Sequence, residues 1–264
     1  GNPDHDLHGD WIDYQTIGVD GPEELFTAME QTLDAVQFSD DVFDLGLRAS
    51  VDEKVHPAIP QHIVAARKAL RTRLEEENLA SLVTSFDPAL YNAEATVAEN
   101  LLFGTPMGPE LSNANLASNA YFRSVLAQSG LDEALYRMGV EIARNAVELF
   151  RDLPPDHPFF QQLGFMTADE IPDYQALLQR LQDKPFAQVA EADGKRMMKL
   201  AFSYVEPRYR FGLLDPEMMS RIVAARAAFH DNLPESLKGA IEPYDAEGYN
   251  KSASILDNVL FGRV

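Results

Sequence analysis

The chain has 264 residues, of which 45% are hydrophobic and 24% charged, a composition typical of a globular protein that can bury a sizeable core. It contains no cysteine, which excludes disulfide bonds, thiolate nucleophiles and cysteine metal sites. A formal net charge of −20 disfavours binding to nucleic-acid phosphates and to anionic lipid, and no apolar run in the sequence is long enough for a membrane span.

The negative charge is concentrated in the N-terminal part of the chain. Residues 1–60 carry 14 Asp and Glu against two basic residues, Arg48 and Lys54. The polar residues 1–10 are expected to form a disordered tail. The absence of cysteine fits a cytoplasmic location.

Helical periodicity explains the strong hydrophobic patterns of the remaining chain. Pro22-Glu-Glu-Leu begins the first predicted helix, because proline suits the first turn and acidic residues favour the positive end of the helix dipole. The other predicted helices span 63–82, 114–128, 131–153, 167–182, 192–204, 216–232 and 252–260. Strand candidates are short, at 82–86 and 239–244. We therefore expect a mainly α fold, an irregular multi-helix domain of helical hairpins with at most short strands.

A nineteen-residue segment occurs twice in the chain, at 86–104 and again at 244–262. The pentapeptide Ile63-Val-Ala-Ala-Arg67 also precedes the first copy and recurs as Ile222-Val-Ala-Ala-Arg226 before the second. A unit of a long helix, a turn and a short helix is thus duplicated. Eight positions of the segment are identical in the two copies: Asp87/Asp245, Tyr91/Tyr249, Asn92/Asn250, Ala95/Ala253, Asn100/Asn258, Leu102/Leu260, Phe103/Phe261 and Gly104/Gly262.

The duplication suggests a domain organisation. The first helical half is expected at 11–104 with the first motif copy, and the second at 105–264 with the second copy. The two halves form either separate domains or one compact domain. The repeated Tyr-Asn pairs, Tyr91-Asn92 and Tyr249-Asn250, are predicted to stabilise a turn before the short helix, with a ligand-binding role as the alternative.

The repeated motif resembles the stretch that follows the Q-loop in ABC transporter ATPase domains. The shared pattern is Asp-Pro-x-Leu-aromatic, then small polar residues, then Thr/Ser-Val/Ile-x-Glu/Asp-Asn and a final Phe-Gly. Segment 22–51 is similar to the sequence that usually follows this motif in the family. The matching residues are Asp87, Pro88, Leu90, Tyr91, Thr96, Val97, Glu99, Asn100, Phe103 and Gly104 in the first copy, and Asp245, Tyr249, Ser254, Ile255, Asp257, Asn258, Phe261 and Gly262 in the second.

The chain departs from the family at the residues that carry its chemistry. Phe86 and Tyr244 stand where the family has the Gln that reaches magnesium and the attacking water. The phosphate-binding G-x-x-x-x-G-K-[ST] loop, the Leu-Ser-Gly-Gly-Gln signature and a hydrophobic strand ending in Asp-Glu are all missing from the sequence. No catalytic, cofactor-binding or metal-binding residue is therefore predicted in this chain, and we do not expect it to be an enzyme.

The resemblance implies an internal piece of an ABC-type ATP-binding protein. On this interpretation the phosphate-binding loop precedes residue 1, and the signature motif follows residue 264. The chain would be a non-catalytic helical insertion domain that docks a membrane or partner subunit or regulates the ATPase. Its expected partners are the rest of the ATPase and a membrane subunit, at the inner face of the membrane. ATP and magnesium are expected only for the parent protein.

A second hypothesis comes from the one basic concentration in this acidic chain. A free-standing helical module could bind a small anionic ligand or a partner through it. The alternative is that these cations pair with the acidic N-terminal region of the chain. The cluster consists of Lys195, Arg196, Lys199, Arg208 and Arg210.

Overall fold

The computed structural model describes residues 12–151, 153, 154, 157, 158, 160 and 166–264. It is 62% helical and 4% strand, which confirms the mainly α fold. The tail predicted at 1–10 lies outside the described residues. The chain divides into two compact units, Gly1–Ala49 and Ser50–Val264. The predicted halves, 11–104 and 105–264, stay a prediction, although both motif copies belong to the second unit.

The first unit contains three helices in its described part, α1 (Tyr14–Ile17), α2 (Pro22–Ala35) and α3 (Ser39–Arg48). Pro22 occupies the first turn of α2, as the sequence predicts. The turn between α2 and α3 passes through Gln37, whose φ of 60° reverses the chain in the left-handed region. The sequence pattern did not predict α3 as a separate helix.

The second unit is built around the long helix α7 (Asp132–Phe150), whose buried face forms the centre of the core. Helices α8 (Ile171–Leu181) and α9 (Glu191–Phe202) pack against α7. The closest approach is at Gly139, where an added Cβ would lie 1.9 Å from the Met197 carbonyl oxygen. The helices of this unit are α4 (Ile59–Glu76), α5 (Val97–Leu102), α6 (Ala120–Gln128), α7 (Asp132–Phe150), α8 (Ile171–Leu181), α9 (Glu191–Phe202), α10 (Glu206–Tyr209), α11 (Pro216–Asp231) and α12 (Ile255–Leu260).

Two small antiparallel ladders flank the motif copies. Strand β1 (Thr84–Ser85) pairs with β4 (Gly262–Arg263), and β2 (Gly104–Pro106) pairs with β3 (Ile241–Pro243). The first motif copy therefore lies between β1 and β2, and the second between β3 and β4. Each strand pairs with a strand of the other copy, so the ladders hold the two copies together.

Local capping explains where two helices differ from their predicted bounds. Helix α4 ends at Glu76 because the chain turns at Asn78, whose φ is 58°. Helix α6 begins at Ala120, since the Asn119 side chain accepts a hydrogen bond from the Phe122 amide. Among the helices in the described part of the chain, none has both the length and the apolar composition that a membrane crossing requires.

Candidate functional site

The two motif copies form the same short helix with the same ends. Thr96 caps the N-terminus of α5 by accepting from the Glu99 amide, and Ser254 caps α12 by accepting from the Asp257 amide. Both helices end at a phenylalanine in the left-handed region, with φ of 43° at Phe103 and 44° at Phe261. A phenylalanine at positive φ is strained, so surrounding contacts must hold each ring in place.

A buried asparagine closes the loop before each short helix. Asn100 Oδ1 accepts from the Asn92 amide at 2.8 Å, and its Nδ2 donates to the Asn92 carbonyl at 2.9 Å. Asn258 makes the same two bonds with Asn250, at 2.8 and 2.7 Å. In each copy the second Asn thus closes the loop with two hydrogen bonds from its side chain to the backbone of the Asn eight positions earlier.

The Tyr-Asn turns agree between the copies in their asparagine and differ in their tyrosine. Asn92 Oδ1 accepts from the Glu94 amide, and Asn250 Oδ1 accepts from the Ser252 amide, each at 3.0 Å. The Tyr249 hydroxyl accepts from the Val51 amide at 3.1 Å. The Tyr91 hydroxyl is buried without a hydrogen-bond partner among the described residues, and burial raises its pKa.

The aspartates that the two copies share stabilise the turn at the start of each motif. Asp87 Oδ1 accepts from the Ala89 amide at 2.7 Å, and Asp245 Oδ1 accepts from the Glu247 amide at 2.9 Å. These are Asx turns, in which the side chain takes the place of a backbone acceptor.

Each arginine of the repeated pentapeptide reaches from its own repeat to the motif copy of the other repeat. Arg226 on α11 reaches the first copy, where its Nη1 donates to three carbonyls at 3.0 Å and its Nε donates to the Asn100 carbonyl at 2.6 Å. Arg67 on α4 reaches the second copy, where its Nε donates to the Asn258 carbonyl at 2.7 Å. The carbonyls bound by Nη1 belong to Asp87, Pro88 and Leu90 for Arg226, and to Asp245 and Ala246 for Arg67.

Both arginines are only 3% exposed, and carbonyl oxygens and asparagine side chains surround them. Burial lowers the pKa of Arg67, and it lowers the pKa of Arg226 to about 10. Both guanidinium groups therefore remain charged at neutral pH. Each also lies over an aromatic ring of the motif it binds, at 4.4 Å for Arg226 over Phe103 and 4.5 Å for Arg67 over Phe261.

Phe86 and Tyr244, the first residues of the two motif copies, meet at the centre of the paired motifs. Phe86 and Tyr244 stack with centroids 4.1 Å apart, and Phe103 and Phe261 pack edge-on against both. The Phe86 amide donates to the Phe261 carbonyl and the Tyr244 amide to the Phe103 carbonyl, each at 3.0 Å. Burial raises the pKa of Tyr244 to about 12. The four rings form an apolar centre, which we call the aromatic stack.

A cleft of about 540 Å³ opens beside the aromatic stack and is lined by both copies. Its charged residues are Glu99, Asp257 and Arg263. The Arg263 guanidinium bridges the two carboxylates, with Nε 3.1 Å from Glu99 Oε1 and Nη1 2.9 Å from Asp257 Oδ1. Each acid is the third residue of its short helix, so the bridge ties the two helix N-termini together.

No family model, curated protein or solved structure matches this chain. The paired motifs are therefore the basis for a functional proposal. In the described part of the chain, no group of three or more His, Asp or Glu is placed to bind a metal ion. What recurs in both copies is a set of Asn and Arg side chains that hydrogen-bond to the backbone, together with the aromatic rings beside the arginines.

The residues of the basic cluster contact different neighbours. Lys195 pairs with Glu191 at 2.9 Å, while Arg196 pairs with Asp173 at 3.6 Å and lies over the Tyr174 ring. Arg210 donates to the Pro207 carbonyl at 3.2 Å. Lys199 and Arg208 are exposed. The carboxylates that pair with Lys195 and Arg196 belong to Glu191 on α9 and Asp173 on α8, and not to the acidic N-terminal region that the sequence suggested.

Sequence reasoning missed the role of Arg67, Arg226 and Arg263. The signal for the first two was their place at the end of the repeated pentapeptide. An arginine that recurs among apolar residues in both copies indicates a buried polar contact. Arg263 has no counterpart, because the equivalent position of the first copy is Thr105. Nothing in the repeat pattern pointed to it.

Proposed function

We propose that this chain is a non-catalytic helical insertion domain of an ABC-type transporter ATPase, which docks a membrane or partner subunit or regulates the ATPase cycle. The observation that carries the proposal is the stacking of Phe86 on Tyr244. The motif resembles the stretch after the Q-loop, and these two rings occupy the position of its glutamine. Rings packed against each other contribute to a core and cannot position a water or a magnesium ion.

The contacts of the other motif residues support a scaffolding role. The asparagines hold backbone groups of their own loops, and the crossed arginines hold backbone carbonyls of the opposite copy. These hydrogen bonds are made within the chain, so the motif residues are engaged in its own fold. The crossed contacts join the two motif copies into a structural scaffold within the second unit. On this proposal ATP and magnesium bind elsewhere in the parent ATPase, at the cytoplasmic face of the membrane.

Titration calorimetry with magnesium ATP tests the non-catalytic role directly. We expect neither binding nor turnover, because the sequence has no phosphate-binding loop. The variant Tyr244→Gln restores the family residue at that position and serves as a control, for which we also expect no turnover. Micromolar binding of magnesium ATP to the unmodified chain would contradict the proposal.

The gene sequence on both sides of this segment tests the assignment to an ABC-type parent. A phosphate-binding loop encoded before residue 1 and a signature motif encoded after residue 264 are the expected result. An open reading frame without these motifs would overturn the assignment.

The anion-binding module remains a second prediction from the sequence. The pairing of Lys195 and Arg196 with carboxylates weakens it, since a bound anion would compete with both acids. A thermal-shift series with phosphate, nucleotides and carboxylates separates the two functions, because only the module is expected to be stabilised.

A further inference from the structure

The helical hairpin α2–α3 carries large apolar side chains that the fold leaves uncovered. Among the described residues of α1, α2 and α3, none is buried. Phe26 is 62% exposed, Phe43 is 66% exposed and Leu45 is 69% exposed. Single exposed apolar residues are ordinary, but a concentration on one small element marks an interaction surface. Further exposed apolar residues of the same hairpin are Met29, Val36, Phe38 and Val42.

Two of these side chains, Val42 and Phe43, line a groove between the two helices. The groove has a volume of about 610 Å³, and its apolar part is formed by Leu33, Val42 and Phe43. Glu30 and Asp34 line it from α2. The Asp34 carboxylate accepts from the Ser39 hydroxyl at 2.8 Å, which links the end of α2 to the start of α3. A concave apolar strip between two linked helices can accept side chains from another helix.

The charge around the groove selects among possible occupants. Residues 12–49 carry nine Asp and Glu against one basic residue, Arg48, a local net charge of −8. A second copy of the hairpin would bring two such charges together, and an anionic lipid surface would be repelled in the same way. A partner with basic residues beside its apolar face gains both hydrophobic burial and charge complementarity.

We propose that the α2–α3 hairpin is the docking surface of this chain and that it binds an amphipathic helix whose apolar face is bordered by Lys or Arg. The inference rests on the docking role proposed above and specifies its surface and the chemistry of its partner. Apolar side chains of the partner helix enter the groove at Phe43, and its cations face Glu30 and the other acidic residues of the hairpin.

The test measures binding of the full chain to two synthetic helical peptides of about 18 residues. Both peptides have a leucine face; one has lysines on its polar face, and the other has glutamates. We expect the lysine peptide to bind at least about tenfold more tightly than the glutamate peptide, because only the first is complementary in charge. Equal affinity for the two peptides would overturn the proposal.

Two exposed-site variants locate the binding. Phe43→Ser removes the apolar wall of the groove and is expected to weaken binding of the lysine peptide about tenfold. Leu90→Ser is the matched control, since Leu90 is 63% exposed on the second unit and its loss leaves the net charge unchanged. We expect Leu90→Ser to bind as the unmodified chain does. Equal binding by the unmodified chain and Phe43→Ser would place the peptide elsewhere and overturn the proposal.

A charge variant tests the role of the acidic border. Glu30→Gln is expected to weaken binding of the lysine peptide about two- to threefold and to reduce its salt dependence. Sedimentation of the chain alone tests whether a second copy of the chain occupies the groove. Self-association that Phe43→Ser abolishes would assign the groove to that second copy and overturn the proposal.

The outcomes separate this inference from the proposed function. A chain that binds the lysine peptide and also binds magnesium ATP keeps the docking surface and loses the non-catalytic ABC assignment. A chain that binds neither keeps that assignment and loses the hairpin as its docking surface.

Discussion

The two motif copies share the asparagine loop closure, the crossed arginine and the phenylalanine at positive φ, but they differ in burial. Five residues of α5 are buried, whereas Asn258 is the one buried residue of α12. Helix α5 packs against α11 and α9, and its Val97 amide donates to the Tyr204 carbonyl at 3.2 Å. Helix α12 packs against α4, which has two buried residues. The first copy is thus part of the core, and the second lies at its edge.

This difference shows what specifies the motif. Since α12 keeps the fold of α5 with much less buried apolar surface, burial alone does not determine that fold. The shared elements are the asparagine loop closure, the crossed arginine and the phenylalanine at positive φ. We infer that these polar contacts specify the geometry, and that core packing adds stability to the first copy. Paired substitutions in the two copies test this view.

The largest effect is expected from the crossed arginines. Arg226→Met leaves the carbonyls of the first copy without their donor inside the core, and we expect it to lower the free energy of unfolding by about 3–5 kcal/mol. Arg67→Met removes one carbonyl contact fewer, beside a short helix in which only Asn258 is buried, and a smaller loss of about 2 kcal/mol is expected. Urea unfolding followed by circular dichroism measures both.

The surface variant Arg73→Met is the control for the arginine pair. Arg73 lies on α4, is exposed and pairs with Glu77, so its loss should change stability by less than about 0.5 kcal/mol. An equal loss in Arg67→Met and Arg226→Met would show that burial does not distinguish the two copies. A loss no greater than that of Arg73→Met would show that the crossed contacts do not hold the motifs.

The duplicated pattern shows how far the sequence leads and where it stops. The pentapeptide repeat predicts two equivalent helices, and the aromatic and asparagine identities predict two equivalent motifs. The pattern cannot say that Arg67 binds the second copy and Arg226 the first. The two motifs share the residues that accept these contacts. The sequence is therefore equally compatible with an arginine that binds the motif of its own repeat and with one that binds the motif of the other repeat.

Strands β1 and β3 fall within the predicted candidates 82–86 and 239–244, whereas β2, β4 and the exposure of the first unit were beyond the sequence for other physical reasons. Strands β2 and β4 have three and two residues, too few for an alternating pattern to show. They form because the residues that flank one motif copy pair with the residues that flank the other. In α2 the apolar spacing predicts a face turned toward a core, and none of the residues of this helix is buried.

The next effect is expected from the buried asparagines. Asn100→Ala removes the acceptor of the Asn92 amide and a donor to its carbonyl in a buried loop, and about 2–3 kcal/mol should be lost. Asn258→Ala breaks the same bonds with Asn250 at the edge, and about 1–2 kcal/mol is expected. Amide hydrogen exchange at Asn92 and Asn250 reports the two loops separately. Faster exchange at Asn250 in Asn100→Ala would contradict independent closure of the two copies.

The smallest effect concerns a residue that only the first copy contacts. The His230 ring on α11 lies with Nε2 2.7 Å from the Leu102 carbonyl, so Nε2 carries the proton. The equivalent residue on α4 is Arg71, beside a small cleft of about 130 Å³ that Leu260 also lines. Burial lowers the pKa of His230, and the nearby Arg226 charge lowers it further, against the hydrogen bond to Leu102.

Because the pKa of His230 is lower in the folded state, the free energy of unfolding decreases as the pH falls. The unfolded chain takes up the proton first as pH falls below about 6.5, so the native state loses stability there and keeps it in full at higher pH. Between pH 7.5 and 5.5 we expect a loss of no more than about 1.4 kcal/mol from this group. His230→Gln, which can still donate to Leu102, should reduce that loss, whereas the exposed His62→Gln should leave it unchanged. A pH dependence that persists in full in His230→Gln would place the titrating group elsewhere and remove this difference between the copies.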